Sequence, residues 1–382
     1  MFNKLSQIFV FAVLLNVFAE IHAQKKIVCY YGSWAVYRPG AGKYSIEDIN
    51  PNLCTHLVYG FAGVETNGNI KVLDPWNDID LQGYIRFNRL KQQNPSLKTL
   101  IAVGGWNEGS PKYSVIAANA QYRQNFVNSA INLMNQYNFD GLDLDWEYPA
   151  QRGGALADKV NFVILLEDFR KAFGTRYLLT IAVGATAQMI EISYNVPRIS
   201  NAVDFINVMT YDLRGAFDPV TGANAGLYSS SPSDYLTVSY CISSWISQGA
   251  PLNKIIMGIP IYGRSFTLQS SSQNYVGAPA VGPGHAGPYT QEPGMLGYNE
   301  ICELLQSNQW TLKWDDVQKV PYMYNGNQWV SYDNQLSVTE KVKFINSRGL
   351  GGAMVWSIET DPLTIAGCPR NPILNTIKQN LA

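Results

Sequence analysis

The stretch FDGLDLDWEYP, Phe139–Pro149, places Asp140, Asp143, Asp145 and Glu147 among leucine, tryptophan and tyrosine. Residues two apart on a β-strand share a face and lie ~6.6 Å from one another. Asp143, Asp145 and Glu147 therefore point one way, and the leucines and tryptophan between them point the other. Asp140 has the opposite parity, and we expect its role to be structural.

If this stretch is a barrel strand, the acidic face is the interior. Three inward carboxylates cannot all be ionised cheaply in a low-dielectric interior, so the pKa of at least one should rise. Glu147 comes last, at the carboxyl end of the strand, where barrel enzymes hold catalytic groups. A glutamic acid kept protonated near neutral pH is a general acid. A calcium or magnesium site and a purely structural acid network are the alternatives, but metal ligands usually surround a loop. We expect no metal.

Eight short apolar runs recur along the chain, and several are separated by segments with helical periodicity, such as residues 124–138 and 160–173. Near-continuous Val/Ile/Leu runs are typical of strands buried on both faces. The alternation predicts an α/β chain folded as a closed (β/α)8 TIM barrel. The runs are Lys26–Trp34, Thr55–Val64, Lys98–Trp106, Gly141–Trp146, Tyr177–Gly184, Phe205–Asp212, Lys254–Gly263 and Gly352–Glu359.

The segment between the seventh and eighth runs is too long for a simple connection. It is loop-like at first and then strand-rich, and Asn325-Gly326 reads as a hairpin turn. We predict a small α+β insertion at about residues 265–336, with the barrel built from residues 24–264 and 337–382. After the last strand we expect a closing helix and no cysteine-rich binding module.

The amino terminus reads as a signal peptide, residues 1–23, because Lys4 precedes an apolar run that ends before the small residue Ala23. We therefore expect a secreted, extracellular protein, in which disulfides persist. Of the five cysteines, Cys241 lies in a helical pattern; we expect a buried free thiol, with an intermolecular bridge as the alternative. Three histidines in the whole chain nearly exclude a histidine-based triad or a His-rich zinc site.

The net charge is −1, which gives no electrostatic reason to expect nucleic acid or a membrane surface as a partner. Aromatic residues make up 12% of the chain. They indicate either a ring-rich core or a groove lined with rings for a neutral, flat-faced ligand.

The stretch DGLDLDWEYP resembles the DxxDxDxE signature of the chitinases of glycoside hydrolase family 18. The resemblance continues in order through KTLIAVGGWN, NVMTYDLRG, MGIPIYGRSFTL, KVPYMYNGNQWVSYD and GLGGAMVWSIETD, and it is greatest to animal, particularly arthropod, chitinases. It implies a secreted, endo-acting chitinase that hydrolyses β-1,4-linked N-acetylglucosamine polymers with retention. The expected partners are chitin and N-acetyl-chitooligosaccharides. We expect a monomer with no cofactor, no nucleic acid or membrane partner, and no separate chitin-binding module.

The resemblance assigns roles to the acidic line. Glu147 would be the general acid and base, and Asp145 would bind and orient the 2-acetamido group that attacks the anomeric carbon. Asp143 would share a proton with Asp145. Tyr211 would donate to the attacking carbonyl oxygen, and Asp212 would help to fix the sugar.

The resemblance also implies a set of substrate-binding residues and two disulfides. Phe217 departs from the family pattern, in which many members have tryptophan. The implied disulfides are Cys29–Cys54 and Cys302–Cys368. The binding positions are Trp356, Trp106, Trp34, Tyr30, Phe61, Gly105, Asn107, Tyr148, Met209, Phe217, Tyr262 and Arg264.

Two other functions fit the same barrel. A chitinase-like lectin would bind chitooligosaccharides without turnover, and such relatives commonly carry Gln or Leu in place of Glu147. A related endo-β-N-acetylglucosaminidase would act on glycoproteins. The intact acid favours a chitinase over the first, and the long insertion favours it over the second.

Overall fold

The computed structural model describes residues 25–382, so the predicted signal peptide lies outside the described residues. The main sheet is a ring of eight parallel strands, closed because the first strand pairs with both the second and the last. The predicted (β/α)8 TIM barrel is confirmed. Its strands are β1 Lys26–Gly32, β2 His56–Val64, β4 Lys98–Gly104, β5 Gly141–Asp145, β6 Leu178–Gly184, β7 Phe205–Met209, β8 Ile255–Pro260 and β15 Gly352–Trp356. The short strand β3, Ile70–Val72, runs antiparallel to β2 at its outer end.

Helices cover the outside of the barrel, and their ends follow local capping chemistry. The longest helix, Ala120–Tyr137, begins after Asn119, whose side-chain oxygen accepts the backbone N–H groups of Gln121 and Tyr122. It ends at Asn138, which takes a left-handed conformation. The helices are Gly83–Arg89, Pro111–Ala118, Ala120–Tyr137, Asp158–Phe173, Ala187–Ser193, Val196–Ala202, Val238–Ser247, Tyr298–Gln306, Gln335–Arg348 and Pro372–Asn380. Within residues 25–382, none is long and apolar enough to cross a membrane.

A second, antiparallel sheet lies between the seventh and eighth barrel strands and includes one helix, Tyr298–Gln306. Its first strand begins at Tyr262, and only Ile261 separates it from β8. The hairpin turn is Gly326–Asn327, one residue later than predicted, since Asn325 still pairs with Gln328. Its strands are β9 Tyr262–Leu268, β10 Ala280–Pro283, β11 Met295–Gly297, β12 Thr311–Asp315, β13 Val320–Asn325 and β14 Gln328–Ser331.

Asp140 lies immediately before β5 and ties it to its surroundings. Its Oδ2 accepts hydrogen bonds from the backbone N–H of Thr99 at 2.9 Å and from Lys91 at 3.0 Å. The bond to Thr99 holds the start of β5 against β4, and the bond to Lys91 ties it to the turn Leu90–Gln92, at the opposite end of the strand from Glu147. Such contacts fit a structural role for Asp140.

Candidate active site

The acidic line of β5 runs through the barrel interior to its mouth. Asp143 and Asp145 lie on the strand, and Glu147 follows two residues beyond its end. All three side chains are buried, and the exposed fraction increases from 0% at Asp143 to 4% at Asp145 and 8% at Glu147. Depth along one strand therefore gives each carboxyl a different environment.

Asp143, the deepest acid, is surrounded by donors. Its Oδ1 accepts hydrogen bonds from the hydroxyl of Thr180 at 2.5 Å and the amide of Asn207 at 3.1 Å, and its Oδ2 accepts from Tyr30 at 2.6 Å. Burial raises the pKa of Asp143, and these three bonds act in the opposite direction. Because donors favour the ionised form, Asp143 is the member of the line best equipped to carry the negative charge.

Asp145, the middle acid, has fewer partners. Its Oδ1 is buried and has no hydrogen-bond partner among the described residues. Burial and the negative charges of Glu147 and Asp143 raise the pKa of Asp145 well above its usual range. A shared proton is therefore more stable on Asp145 than on Asp143. Both oxygens of Asp143 bond to other residues, so proton sharing between the two carboxyls stays a prediction.

Glu147 lies at the mouth with its carboxyl nearly covered. Burial raises its pKa to about 7, against the lowering effects of a hydrogen bond with Tyr148 and the positive charge of Arg152. The negative charge of Asp212 raises the pKa further. A large fraction of Glu147 is therefore protonated near neutral pH, which is the state that a general acid needs.

Tyr211 and Asp212 follow β7 and face the same mouth. Asp212 has a positive φ of 55°, and its Oδ1 accepts hydrogen bonds from the hydroxyl of Tyr262 at 2.6 Å and from Nε of Arg264 at 2.7 Å. The hydroxyl of Tyr211 contacts Sδ of Met354 at 3.7 Å. Burial raises the pKa of Tyr211 well above its usual range, so it remains a hydrogen-bond donor at any physiological pH.

A cluster of four aromatic rings lies beside the acidic line. The rings come from β1, from the turn after it, from β2 and from β15. Trp356 lies at the centre, with ring centroids 5.7 Å from Phe61, 6.1 Å from Trp34 and 5.6 Å from Tyr30. Phe61 also stacks on Trp34 at 6.1 Å. Trp34 is 40% exposed, so the cluster presents an apolar surface to solvent at the mouth. Such surfaces suit the C–H faces of sugars.

Trp106 and Asn107 are both exposed in the short turn Trp106–Glu108 that follows β4. Gly105, just before it, has a positive φ of 87° and lies so close to Phe61 that a Cβ would come within 2.9 Å of that ring. Only glycine tolerates both conditions without strain. The glycine therefore fixes the direction in which Trp106 leaves the strand.

The remaining predicted binding residues surround the mouth. Met209 is half-buried at the end of β7, and Tyr148 is half-buried three residues beyond the end of β5. Phe217 is 70% exposed on the loop after β7, where its ring lies against Gly215. The Phe217 ring forms no pair, within the described part of the chain, with the rings of the cluster around Trp356. Three further residues, not predicted from the sequence, contact the site: Thr180, Asn207 and Arg152.

Both predicted disulfides are present. Cys29 bonds to Cys54, and Cys302 bonds to Cys368. Cys241 is unpaired and buried in the described structure. In residues 25–382 no group of His, Cys, Asp or Glu side chains has an arrangement that could hold a metal ion.

The family model for glycosyl hydrolases family 18 matches residues 26–361 of this chain. The chain belongs to this family. Probable chitinase 2 of Drosophila melanogaster is 45% identical to this chain over 353 residues. The match covers 88% of this chain and 72% of the relative.

Two solved structures of similar family 18 proteins differ in function. The Ostrinia furnacalis Group IV chitinase in complex with allosamidin superposes with a TM-score of 0.91 at 46% identity, over 93% of this chain and 98% of that one. Human YKL-39, a pseudo-chitinase with retained chitooligosaccharide binding properties, has a TM-score of 0.87 at 38% identity, over 93% and 99% of the two chains. The fold is therefore common to a chitinase and a pseudo-chitinase. Only the chemistry of the site can distinguish hydrolysis from binding without turnover.

Proposed function

We propose that this protein is a secreted, endo-acting chitinase that cleaves β-1,4-linked N-acetylglucosamine polymers. One observation carries the proposal: Glu147 is an acidic side chain, buried at the barrel mouth, whose pKa is raised to about 7 by burial. A binding protein does not need a carboxyl in this costly environment, whereas a glycosidase needs a proton donor at the bond that breaks.

The chemistry proposed for the site is substrate-assisted hydrolysis with retention. Protonated Glu147 gives its proton to the glycosidic oxygen while the carbonyl oxygen of the 2-acetamido group attacks the anomeric carbon. The bond to the leaving sugar breaks, and a positively charged oxazolinium ion forms. Glu147, now ionised, takes a proton from water, which opens the ring at the same carbon and restores the acid.

The neighbouring residues suit this route. The unpaired Oδ1 of Asp145 is available to accept the acetamido N–H, and the negative charge of Asp143 behind it would stabilise the oxazolinium ion. Tyr211 remains a donor for the acetamido oxygen, and Asp212 is held rigidly by Tyr262 and Arg264.

The lining of the mouth supports a neutral polysaccharide as substrate. Rings from Trp34, Phe61 and Trp356 form one contiguous surface, and Trp106 and Phe217 stand exposed elsewhere on the mouth. A chain of sugars crossing such an open mouth could be cut internally, which is the basis for proposing endo action. The allosamidin complex of the similar insect chitinase supports the same class of ligand.

The competing function is binding without turnover, as described for YKL-39. The ring surface alone would serve that function equally well. The acidic line favours hydrolysis because three buried carboxylates destabilise the fold without improving affinity for a neutral sugar.

Secretion is part of the proposal. The two disulfides, Cys29–Cys54 and Cys302–Cys368, support it because such bonds persist in oxidising compartments. We also propose the domain division given by the sequence, namely one catalytic barrel with the antiparallel sheet as an insertion.

The test is release of a fluorophore from N-acetyl-chitooligosaccharide substrates by the wild type and by Glu147→Gln. We expect the variant to lose on the order of 10²–10⁴-fold in rate and to keep its affinity for the oligosaccharide. Asp140→Asn is the matched control, because it removes an acid of the same run that faces away from the site. No release by the wild type, or an active Glu147→Gln, would contradict the proposal.

The substrate-assisted route has its own test. A substrate without the 2-acetamido group has no internal nucleophile, so the enzyme should leave it intact. Cleavage of such a substrate at a comparable rate would require a different mechanism, even if Glu147 proved essential.

A further inference from the structure

Arg152 contacts two elements of the site at once. Its Nη1 donates hydrogen bonds to the backbone carbonyl of Trp106 at 2.9 Å and to that of Glu147 at 3.1 Å. Its guanidinium carbon lies 3.5 Å from the centroid of the Trp106 ring, a cation–π distance. One side chain thus joins Glu147 to the exposed indole of Trp106.

The loop that carries Arg152 is built to hold this position. Ala150 and Arg152 both have positive φ values, 64° and 51°, which are uncommon for residues other than glycine. On one side of Arg152, Gln151 bonds to Ser193 at 2.8 Å. The buried carboxylate of Asp158 accepts a hydrogen bond from the backbone N–H of Ala150, before Arg152, at 3.3 Å. It accepts another from the backbone N–H of Ala155, after Arg152, at 2.8 Å.

Trp106 depends on such support more than Trp34 and Trp356 do. Trp34 and Trp356 contact each other and Phe61, so their orientations are fixed by mutual packing. Trp106 is 59% exposed in a turn of three residues, and the guanidinium covers one face of its ring. The opposite face is left for a ligand, at a distance from Glu147 that Arg152 sets through its second carbonyl bond.

We propose that Arg152 is a positioning residue that fixes the Trp106 ring relative to Glu147, so that a sugar stacked on the indole is placed against the acid. This proposal rests on the proposed function. It also gives Arg152 an electrostatic effect, because its positive charge lowers the pKa of Glu147 while Asp212 raises it and the Tyr148 hydrogen bond lowers it. The other acid beside Glu147 is Asp145, whose own pKa is raised by burial and by the negative charges of Glu147 and Asp143.

The affinity test uses Glu147→Gln protein, so that binding is measured without turnover. We expect Arg152→Gln to weaken binding of N-acetyl-chitotetraose, measured by isothermal titration calorimetry, by about twofold to fivefold. In a Trp106→Ala background the same substitution should change the affinity by less than about twofold. Unchanged affinity in the first background, or an equal loss in both, would overturn the proposal.

The charge test uses the otherwise wild-type enzyme and the pH dependence of kcat/KM. Arg152→Gln should move the alkaline limb to higher pH, because Glu147 holds its proton more tightly without the nearby cation. Arg152→Lys should restore the limb but only part of the affinity, since an ammonium cannot stack and bridge two carbonyls as a planar guanidinium does. An unmoved limb in Arg152→Gln would overturn the proposal.

Arg176→Gln is the matched control. Arg176 is also exposed and also lies over an aromatic ring, that of Tyr177 at 4.9 Å, but at the opposite end of the barrel. It should change neither affinity nor the pH limb. If the wild type proves to have no turnover, the proposed function fails, while the calorimetric comparison still decides whether Arg152 positions Trp106.

Discussion

The hydroxyl of Tyr30 donates a 2.6 Å hydrogen bond to Oδ2 of Asp143 and so joins β1 to β5 across the barrel interior. These strands are not neighbours in the sheet, because β2 and β4 lie between them. Burial raises the pKa of Asp143, and this bond lowers it. A single hydroxyl therefore helps to set the charge at the base of the acidic line.

Tyr30→Phe should reduce both stability and rate. Asp143 would lose one of three donors, its pKa would rise, and less negative charge would stand behind Asp145. We expect a loss of about 1–3 kcal/mol in the free energy of unfolding at pH 7, together with a lower kcat. Denaturant unfolding and steady-state kinetics measure the two effects.

Tyr31→Phe is the control for that substitution. The hydroxyl of Tyr31 is buried but has no hydrogen-bond partner in residues 25–382. Its removal should be neutral or slightly stabilising, because an unsatisfied polar group is lost. Equal destabilisation by the two substitutions would show that the Tyr30–Asp143 bond has no special value.

The pH dependence of stability should reveal Glu147. Its folded-state pKa of about 7 lies above its ordinary value of 4.5, so the native state binds the proton more tightly than the unfolded chain does. Wild-type stability is therefore highest, with respect to this group, below pH 4.5 and falls as pH rises through 7. Relative to the wild type, Glu147→Gln should gain on the order of 1–3 kcal/mol in the free energy of unfolding as the pH rises from 4.5 to about 7.

Thermal or denaturant unfolding at pH 5 and pH 8 tests this expectation. Glu191→Gln serves as a control, since Glu191 is exposed, and its difference from the wild type should be the same at both pH values. A pH-independent difference between the wild type and Glu147→Gln would mean that the acid is not held in a protonating environment. The same titration predicts that kcat/KM falls as pH rises through about 7.

Gly105→Ala should distort the binding surface. The added methyl group would come within 2.9 Å of the Phe61 ring, and the residue has a φ of 87°. We expect a loss of about 1–3 kcal/mol in stability, and weaker oligosaccharide binding by calorimetry because Phe61 stacks on Trp34 and Trp356.

Gly277→Ala separates the effect of the positive φ from the effect of the collision with Phe61. Gly277 has a similar φ of 92°, but no described atom lies within 4 Å of the position that its Cβ would take. It should show the backbone penalty without the collision and without a change in sugar affinity. If both variants bound oligosaccharide normally, the contact between Gly105 and Phe61 would have no role in the surface.

Lys341→Met should destabilise the fold without altering the chemistry. Lys341 lies in the helix Gln335–Arg348 and pairs with Asp333 at 2.5 Å, and both side chains are at most 1% exposed. Removing the cation leaves a buried carboxylate, which typically costs about 3–5 kcal/mol. The specific activity of the folded fraction should be unchanged.

The double variant Asp333→Leu, Lys341→Met provides the comparison, because replacing a whole buried pair with apolar residues is often close to neutral. It should recover most of the stability lost in the single variant. A double variant as unstable as the single one would point to lost packing rather than to the unpaired charge.

The barrel could be predicted from the sequence because its strands are buried on both faces. The ends of the strands were less predictable. The apolar run Lys26–Trp34 extends past the strand end at Gly32, and the run Phe205–Asp212 extends past Met209. Trp34 and Tyr211 lie just beyond these ends and contribute apolar rings to the mouth without belonging to a strand. Hydrophobicity alone therefore does not mark where the strand stops.

The site was predictable where strand parity alone decided it. Alternation placed Asp143 and Asp145 on one face of β5, and all three acids are buried as expected, although Glu147 lies two residues beyond the end of the strand. The donors Thr180 and Asn207 were missed, although each is an isolated polar residue in an otherwise apolar barrel strand, and that pattern could have indicated an interior partner. Arg152 had no such signal, because its role depends on a left-handed backbone conformation and a contact with Trp106 46 residues away.

Trp356, the central ring of the mouth, belongs to the strand that closes the barrel. It packs on Tyr30 and Phe61 from the opposite end of the chain, and its strand pairs with β1 from Lys26↔Gly352 onward. Contacts between such distant segments form late, because a long loop must close first. During synthesis the ring surface around Trp356 can therefore assemble only after residue 356 has left the ribosome. A nascent chain could not engage the proposed oligosaccharide ligand before its barrel is complete.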